Sequence, residues 1–289
     1  MKTKFLRSPY LGLYGGGFGV REIGVDSLDE LSCEARRRLM IMAAYDPGIH
    51  IGSSLSVLDI LTALYGTGRL KFNAHNGVST RNYLILSKGH AVHAIYALAS
   101  LFGYLNQDEL RETGSLGSRL QNHPEDDTPF TDVSNSGSLG LGIGMAVGLA
   151  LGLKLKGHAG KVFLITGDGE LDEGISWESM AVAASYKLNN LIVIVDHNKA
   201  QLDGFSEEVL RKGDIAGRFR SLGFFVQVVD GHNIGELVKA IEAAERSEAP
   251  SAIIAETVRG RGVEGLEGST RQRVPRDEAL EMAKRVTCR

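Results

Sequence analysis

At 289 residues with a formal net charge of −3, the chain is long enough for one large α/β domain or two small ones. It carries no broad basic excess for nucleic acid or an anionic membrane surface, so a small-molecule partner is expected. Its two cysteines, Cys33 and Cys288, lie far apart without CxxC spacing, which argues against a zinc site or a disulfide framework and suits a reducing cytoplasm.

Residues 1–26 hold Gly15, Gly16, Gly17 and Gly19 and predict an irregular arm. Lys2, Lys4 and Arg7 open that arm, but Gly and Tyr interrupt the apolar run that a signal peptide or membrane helix requires, so a soluble, cytoplasmic protein is expected. Ser27 with Glu30 three residues on predicts a capped helix to about Tyr45, ended by Asp46-Pro47-Gly48. The segment GIHIGSSLS reads as a loop, and a helix follows Ser56 with Val57, Ile60, Leu61 and Leu64 on one face. Tyr83 to Leu86 predicts a short strand, SKGH a loop, and Ala91 to Phe102 a helix. GSLGLGIGMAVGLALGLKL reads as a glycine-entered helix of small residues whose N-terminus is a candidate anion or cofactor contact. The β-branched runs KVFLIT, LIVIVD and GFFVQVVD, with SAIIAET as a fourth, alternate with loop and helix patterns and predict a doubly wound, mostly parallel sheet flanked by helices. No repeat or linker divides the chain before Gly260. One domain over residues 27–262 is expected, with a charged tail at 263–289 on the surface.

In an open parallel sheet ligands bind at the carboxyl ends of the strands, where KVFLIT is followed by GDG and LIVIVD by HNKA. Gly167 and Gly169 let the backbone approach a phosphate, Asp168 offers a hard carboxylate oxygen and Asn198 an amide oxygen. Magnesium takes that oxygen set, with the Ala200 carbonyl as a candidate further ligand. A GDG tight turn and an Asx turn at Asn198 account for the same residues without any ligand.

GIHIGSSLSVLDIL, LSKGHA, HPE, GSLGLG, GDGELDEG, WES, DHNKAQLDG and ETVRGRG occur in this order, and with them the chain resembles the diphosphate-binding portion of transketolase up to about Gly262. The resemblance implies a thiamine diphosphate-binding fold and transfer of a two-carbon ketol unit from a ketose (phosphate) donor to an aldehyde acceptor. It implies Mg2+ (or Ca2+) on Asp168, Asn198 and the Ala200 carbonyl. Gly167, the Gly169 amide and His90 would hold the diphosphate, with Gly137, Leu139 and Leu202 beside the cofactor. His50 and His123 would face the substrate as acid/base groups, and Glu173 and Glu178 would belong to a dimer-interface carboxylate network. His75, His158, His197 and His232 are read as structural, and Trp177 as core.

The family's pyrimidine-binding domain, with its activating glutamate, has no counterpart in the chain. The resemblance therefore implies a separate pyrimidine-binding subunit, assembly into a heterotetramer, and no activity alone. ETVRGRG is not followed by the family's Trp-His-Gly segment, and no histidine occurs after His232. Loss of that tail histidine allows an unusual acceptor such as a lipoyl group or carrier protein; Leu141, where the family commonly has glutamine, and Ser53-Ser54, where it commonly has glycine, are lesser departures. Two rival readings stay open: the α subunit of a 2-oxo acid dehydrogenase or decarboxylase, and a non-catalytic cofactor-binding or regulatory module.

Overall fold

Alternate residues of a strand point to opposite faces of its sheet, and in this chain both faces are apolar. The structure is a computed structural model that describes residues 27–72, 81–124, 130, 132 and 137–286, so the expected N-terminal arm lies outside the described residues. Five strands, β1 (Tyr83–Leu86), β2 (Val162–Gly167), β3 (Leu191–His197), β6 (Phe225–Asp230) and β7 (Ser251–Glu256), form one all-parallel sheet in the order β1-β2-β3-β7-β6. The expected doubly wound fold is borne out.

Phe163, Ile165, Ile192, Ile194 and Ile253 face a core closed by α1 (Leu28–Tyr45), α2 (Ile51–Gly66), α3 (His93–Leu101), α9 (Ile234–Glu245) and α10 (Arg276–Arg285). Leu164, Val193, Val195 and Ile254 face the other core, closed by α5 (Leu141–Leu155), α6 (Gly174–Ser185) and α8 (Ile215–Ser221). Each such side chain taken fully out of water contributes roughly 1.5–3 kcal/mol. Trp177 packs against this second core and donates from Nε1 to the Leu171 carbonyl at 2.7 Å, as its core reading expected. Smaller elements complete the chain: α4 (Gln107–Arg111), a ribbon of β4 (Ala200–Gln201) and β5 (Gly204–Phe205), and α7 (Ser206–Val209).

Ser27 caps α1 as expected, its side chain accepting from the Glu30 amide at 3.1 Å. Three expectations are corrected. The segment read as the loop GIHIGSSLS is helical from Ile51 onward, because the Ser54 amide bonds the His50 carbonyl and the Ser54 and Ser56 hydroxyls bond carbonyls one turn back. All sixteen residues of α2 are buried, so the sequence shows no polar face to mark where the helix begins. The expected surface tail is the second correction: Val263, Leu266 and Val274 are buried, and α10 lies against α1 with Ala279, Met282 and Ala283 in the first core. Third, Cys33 is disulfide-bonded. The docking of α10, with Arg37 donating to the Val286 carbonyl at 2.9 Å, brings residues remote in sequence back to α1, the helix that carries Cys33.

Candidate active site

The carboxyl ends of β1, β2, β3 and β7 and the first turn of α2 meet at one edge of the sheet. Asp168 follows β2 directly, donating its amide to the Asp196 carbonyl of β3 at 3.3 Å. Its side chain is 1% exposed and its Oδ2 accepts from Ser206 Oγ at 2.8 Å. Burial pushes the Asp168 carboxyl up from the ordinary range; the Ser206 bond and His197 oppose the shift, and Asp196 adds to it. A buried carboxylate in that condition is the kind a cation stabilises.

Asn198 ends the same edge two residues beyond Asp196. Its Oδ1 accepts from the Ala200 amide at 3.1 Å, so the Asx turn is present, and an amide oxygen retains a second lone pair. Its Nδ2 donates to Ser56 Oγ at 3.0 Å, and Ser56 Oγ donates to Asp196 Oδ2 at 2.6 Å. This relay turns the nitrogen inward and fixes which way the oxygen faces.

Asp196 itself is wholly buried and receives the Lys88 ammonium at 2.5 Å and the Thr257 hydroxyl. It ties the SKGH turn, α2 and the segment after β7 to the end of β3. Glu170 does the same on the other side. Its buried carboxylate accepts from Ser87 Oγ, from Thr166 Oγ1 at 2.7 Å, from the Gly167 amide at 3.3 Å and from the Gly140 amide at 2.7 Å. Gly140 is the N-cap of α5, so the anion at that helix entrance is the chain's own Glu170 carboxylate. Its φ of +87° suits glycine, and a Cβ there would lie 2.6 Å from Ile175 and 3.1 Å from the Glu173 Cβ, which holds the GSLG turn against the start of α6.

His50, at the start of α2, His90, in the turn after β1, and His123 gather at this edge. The ring of His50 is 5.1 Å from that of His90 and 6.3 Å from that of His123. Ser53 Oγ lies 2.9 Å from His90 Nε2. Burial lowers the His50 pKa, helped by His123, Arg259 and Lys88; burial and then Lys88 and His50 hold His90 well below the usual value. Both imidazoles are therefore neutral near pH 7 and able to accept a proton.

The other residues singled out in the sequence fall into two groups. Gly167, Gly169 and Ala200 lie at the strand ends beside Asp168 and Asn198, with Ala200 buried. Gly137, Leu139, Glu173 and Glu178 are exposed at the entrance to α5 and on α6, and Leu202 is 70% exposed in the β4–β5 turn. His197 bonds Glu256 at 2.8 Å, and His232 accepts the Val258 amide on Nε2 at 2.8 Å while its Nδ1 meets Asp59 at 2.7 Å, in keeping with structural roles. His75 lies outside the described residues. Sequence reasoning missed Lys88, Ser56, Asp196, Glu170 and His93. The one available sign was composition, since an Asp inside a β-branched run is out of place unless it has a buried partner.

The family model described as "Transketolase, thiamine diphosphate binding domain" matches residues 30–275. An apulose-4-phosphate transketolase subunit of Actinobacillus succinogenes is 35% identical over 267 residues, spanning 90% of this chain and 96% of that protein. The 6-deoxy-6-sulfo-D-fructose transketolase subunit of a Clostridium species is 38% identical over 221 residues, spanning 76% and 80%. Among solved structures, transketolase from Campylobacter jejuni superposes with a TM-score of 0.79 at 32% identity, covering 88% of this chain and 42% of that one. The chain thus spans less than half the length of that longer transketolase.

Proposed function

This chain belongs to the transketolase family, and from that premise we propose that it is the diphosphate-binding subunit of a two-chain enzyme that moves a two-carbon ketol unit between a ketose phosphate and an aldehyde. The observation that carries the reading is the end-to-end match to relatives that are themselves named as single subunits of transketolases. The chain then needs a pyrimidine-binding partner that supplies the activating glutamate, in a heterotetramer. Its diphosphate-type domain takes in residues 27–262 and the segment to Val286 that packs into the same core.

Asp168, Asn198 and the Ala200 carbonyl hold Mg2+ (or Ca2+) in this reading. The buried Asp168 carboxyl with its raised pKa and the Asn198 oxygen, whose orientation the Nδ2–Ser56 bond fixes, support it. Gly167, the Gly169 amide and His90 take the diphosphate, and Gly137, Leu139 and Leu202 flank the rest of the cofactor. When bound, thiamine diphosphate supplies the carbon nucleophile that cleaves the bond beside a ketose carbonyl. His50, its pKa lowered by burial, and His123 move the hydroxyl proton as that bond breaks. Glu173 stands at the seam between subunits. Leu139, Leu141, Met145, Val182 and Tyr186, exposed on the paired helices α5 and α6 and at their entrance, support a partner surface there.

The test is the chain assembled with its pyrimidine-binding subunit, supplied with ketose phosphates and aldose acceptors. Cofactor-dependent ketol transfer is expected. Asp168→Ala should abolish magnesium-dependent cofactor binding measured by calorimetry, and unchanged affinity refutes the metal site.

A further inference from the structure

Four buried polar atoms on the segments that carry the site histidines have no hydrogen-bond partner within the chain: Asp46 Oδ2, Asn122 Oδ1 and both ring nitrogens of His93. Asp46 caps the end of α1 and leads into His50, His93 opens α3 just after His90, and Asn122 precedes His123. Their side chains lie together. A Cβ on Gly48 would stand 3.0 Å from both Asp46 Oδ1 and Asn122 Nδ2, so the carboxyl and the amide flank the same turn of backbone. Asp46 Oδ1 already accepts from the Gly48 amide at 2.7 Å, which leaves Oδ2 as the unused oxygen. Asn122 is near enough to His93 to oppose the lowering of its pKa by burial. Tyr96, with its ring 5.6 Å from that of His93, donates its hydroxyl to the Gln121 carbonyl at 3.0 Å and so ties the backbone beside Asn122 to α3.

Buried polar groups are nearly always bonded, and where the chain supplies no partner an enclosed water commonly does. A neutral imidazole carries one N–H and one lone pair, so the set holds one donor and three acceptors. A single water matches it: its two protons go to Asp46 Oδ2 and Asn122 Oδ1, and its oxygen accepts from the His93 N–H. A bare cation would leave that N–H without an acceptor. We propose that Asp46, Asn122 and His93 enclose one water molecule, and that this hydrated joint makes them positioning residues: it links the three histidine-bearing segments and sets the spacing of the His50, His90 and His123 rings. The water site stands on the chain's own atoms, and its bearing on proton transfer rests on the transketolase-type reading given above.

Crystals of the two-subunit complex that diffract well enough to show ordered water should hold one water within about 3 Å of Asp46 Oδ2, Asn122 Oδ1 and one His93 nitrogen. In His93→Met, which has no N–H, that water should be lost and the His50–His123 ring distance should move from 6.3 Å. His93→Gln keeps a donor and an acceptor and should retain both. The turnover number for ketol transfer should fall about tenfold in His93→Met and in Asn122→Ala, since a small misplacement of a reacting group is enough for such a loss. His93→Gln should return it to within about threefold of wild type, while the KM for the ketose and the cofactor affinity by calorimetry stay within about twofold in all three variants. A site without water in the wild-type crystal, an unmoved ring distance in His93→Met, or equal turnover in His93→Met and His93→Gln would each overturn the proposal. A complex that holds the water and shifts its rings as expected, yet transfers no ketol unit, would overturn the functional reading alone and leave the joint standing.

Discussion

Replacing His93 with methionine should remove a defined part of the fold's sensitivity to acid. His93 opens α3 and is wholly buried, with the Tyr96 ring 5.6 Å away. Burial, reinforced by His50 and opposed by Asn122, lowers its pKa from 6.5 to about 3. The folded state thus holds this imidazole neutral, whereas the unfolded chain takes up a proton below about pH 6.5. Stability rises with pH wherever the unfolded state binds more protons, so this contribution is intact above about pH 6.5 and is lost as pH falls from there toward 3. Between pH 7 and pH 5 the loss is about 2 kcal/mol, growing by roughly 1.4 kcal/mol for each further unit until the folded pKa is reached. Urea unfolding of wild type and His93→Met, followed by circular dichroism at both pH values, reads it directly. His50 and His90 titrate in both proteins and largely cancel in the difference. Wild type should lose about 2 kcal/mol more than the variant between pH 7 and 5. Equal losses in the two proteins would show that His93 is not held neutral by burial.

The Lys88–Asp196 pair, both members buried, should behave as a unit in denaturant unfolding. Lys88→Met strands a carboxylate and should cost about 3–5 kcal/mol, while adding Asp196→Leu should recover part of that loss; additive losses would mean the two side chains are independent. For the assembled enzyme, the acid limb of kcat/KM should lie below pH 6.5, because burial, His123, Arg259 and Lys88 all lower the His50 pKa. It should vanish in His50→Gln. A limb above pH 6.5 would remove His50 from the proton-transfer role.

The sheet was legible because its strands are covered on both faces. KVFLIT and LIVIVD are unbroken β-branched runs, and an unbroken run bounded by glycine is the mark of a parallel strand. His50, His90 and His123 were legible as residues but not as a cluster, since nothing in their spacing brings three loops together. What the sequence hid is what depends on distant partners. Ser56 meets Asp196 across 140 positions, and Glu170 meets Gly140 across 30. His93 stands in a run that reads as an ordinary apolar helix, with nothing to show that its ring is wholly buried and feels the charge of His50. The start of α2 and the packing of the tail were misread for a shared reason: periodicity identifies a helix by its contrast with water, and α2 has no wet face, while the charges around α10 mask the few apolar residues that dock it.

The division between buried and exposed parts of the site follows from which half of the enzyme this chain is. Its floor is finished without a ligand. Asp196 and Glu170 each draw several donors from separate segments, so the strand ends carrying Asp168, Asn198 and the SKGH turn are held by charge-assisted bonds made inside the chain. Residues toward the opening have no such anchorage: Leu139, Leu202 and Glu173 stand in water, and α5 and α6 present Leu141, Met145, Val182 and Tyr186 outward. Leaving large apolar side chains exposed forgoes the stabilisation of burial, and a chain able to cover them itself would gain it. A rigid polar floor beneath an apolar, open rim is the distribution expected when the roof of a site is folded from another polypeptide. On that account the metal and diphosphate contacts proposed for this chain fall at the strand ends because that is where its own bonds can hold such groups rigid.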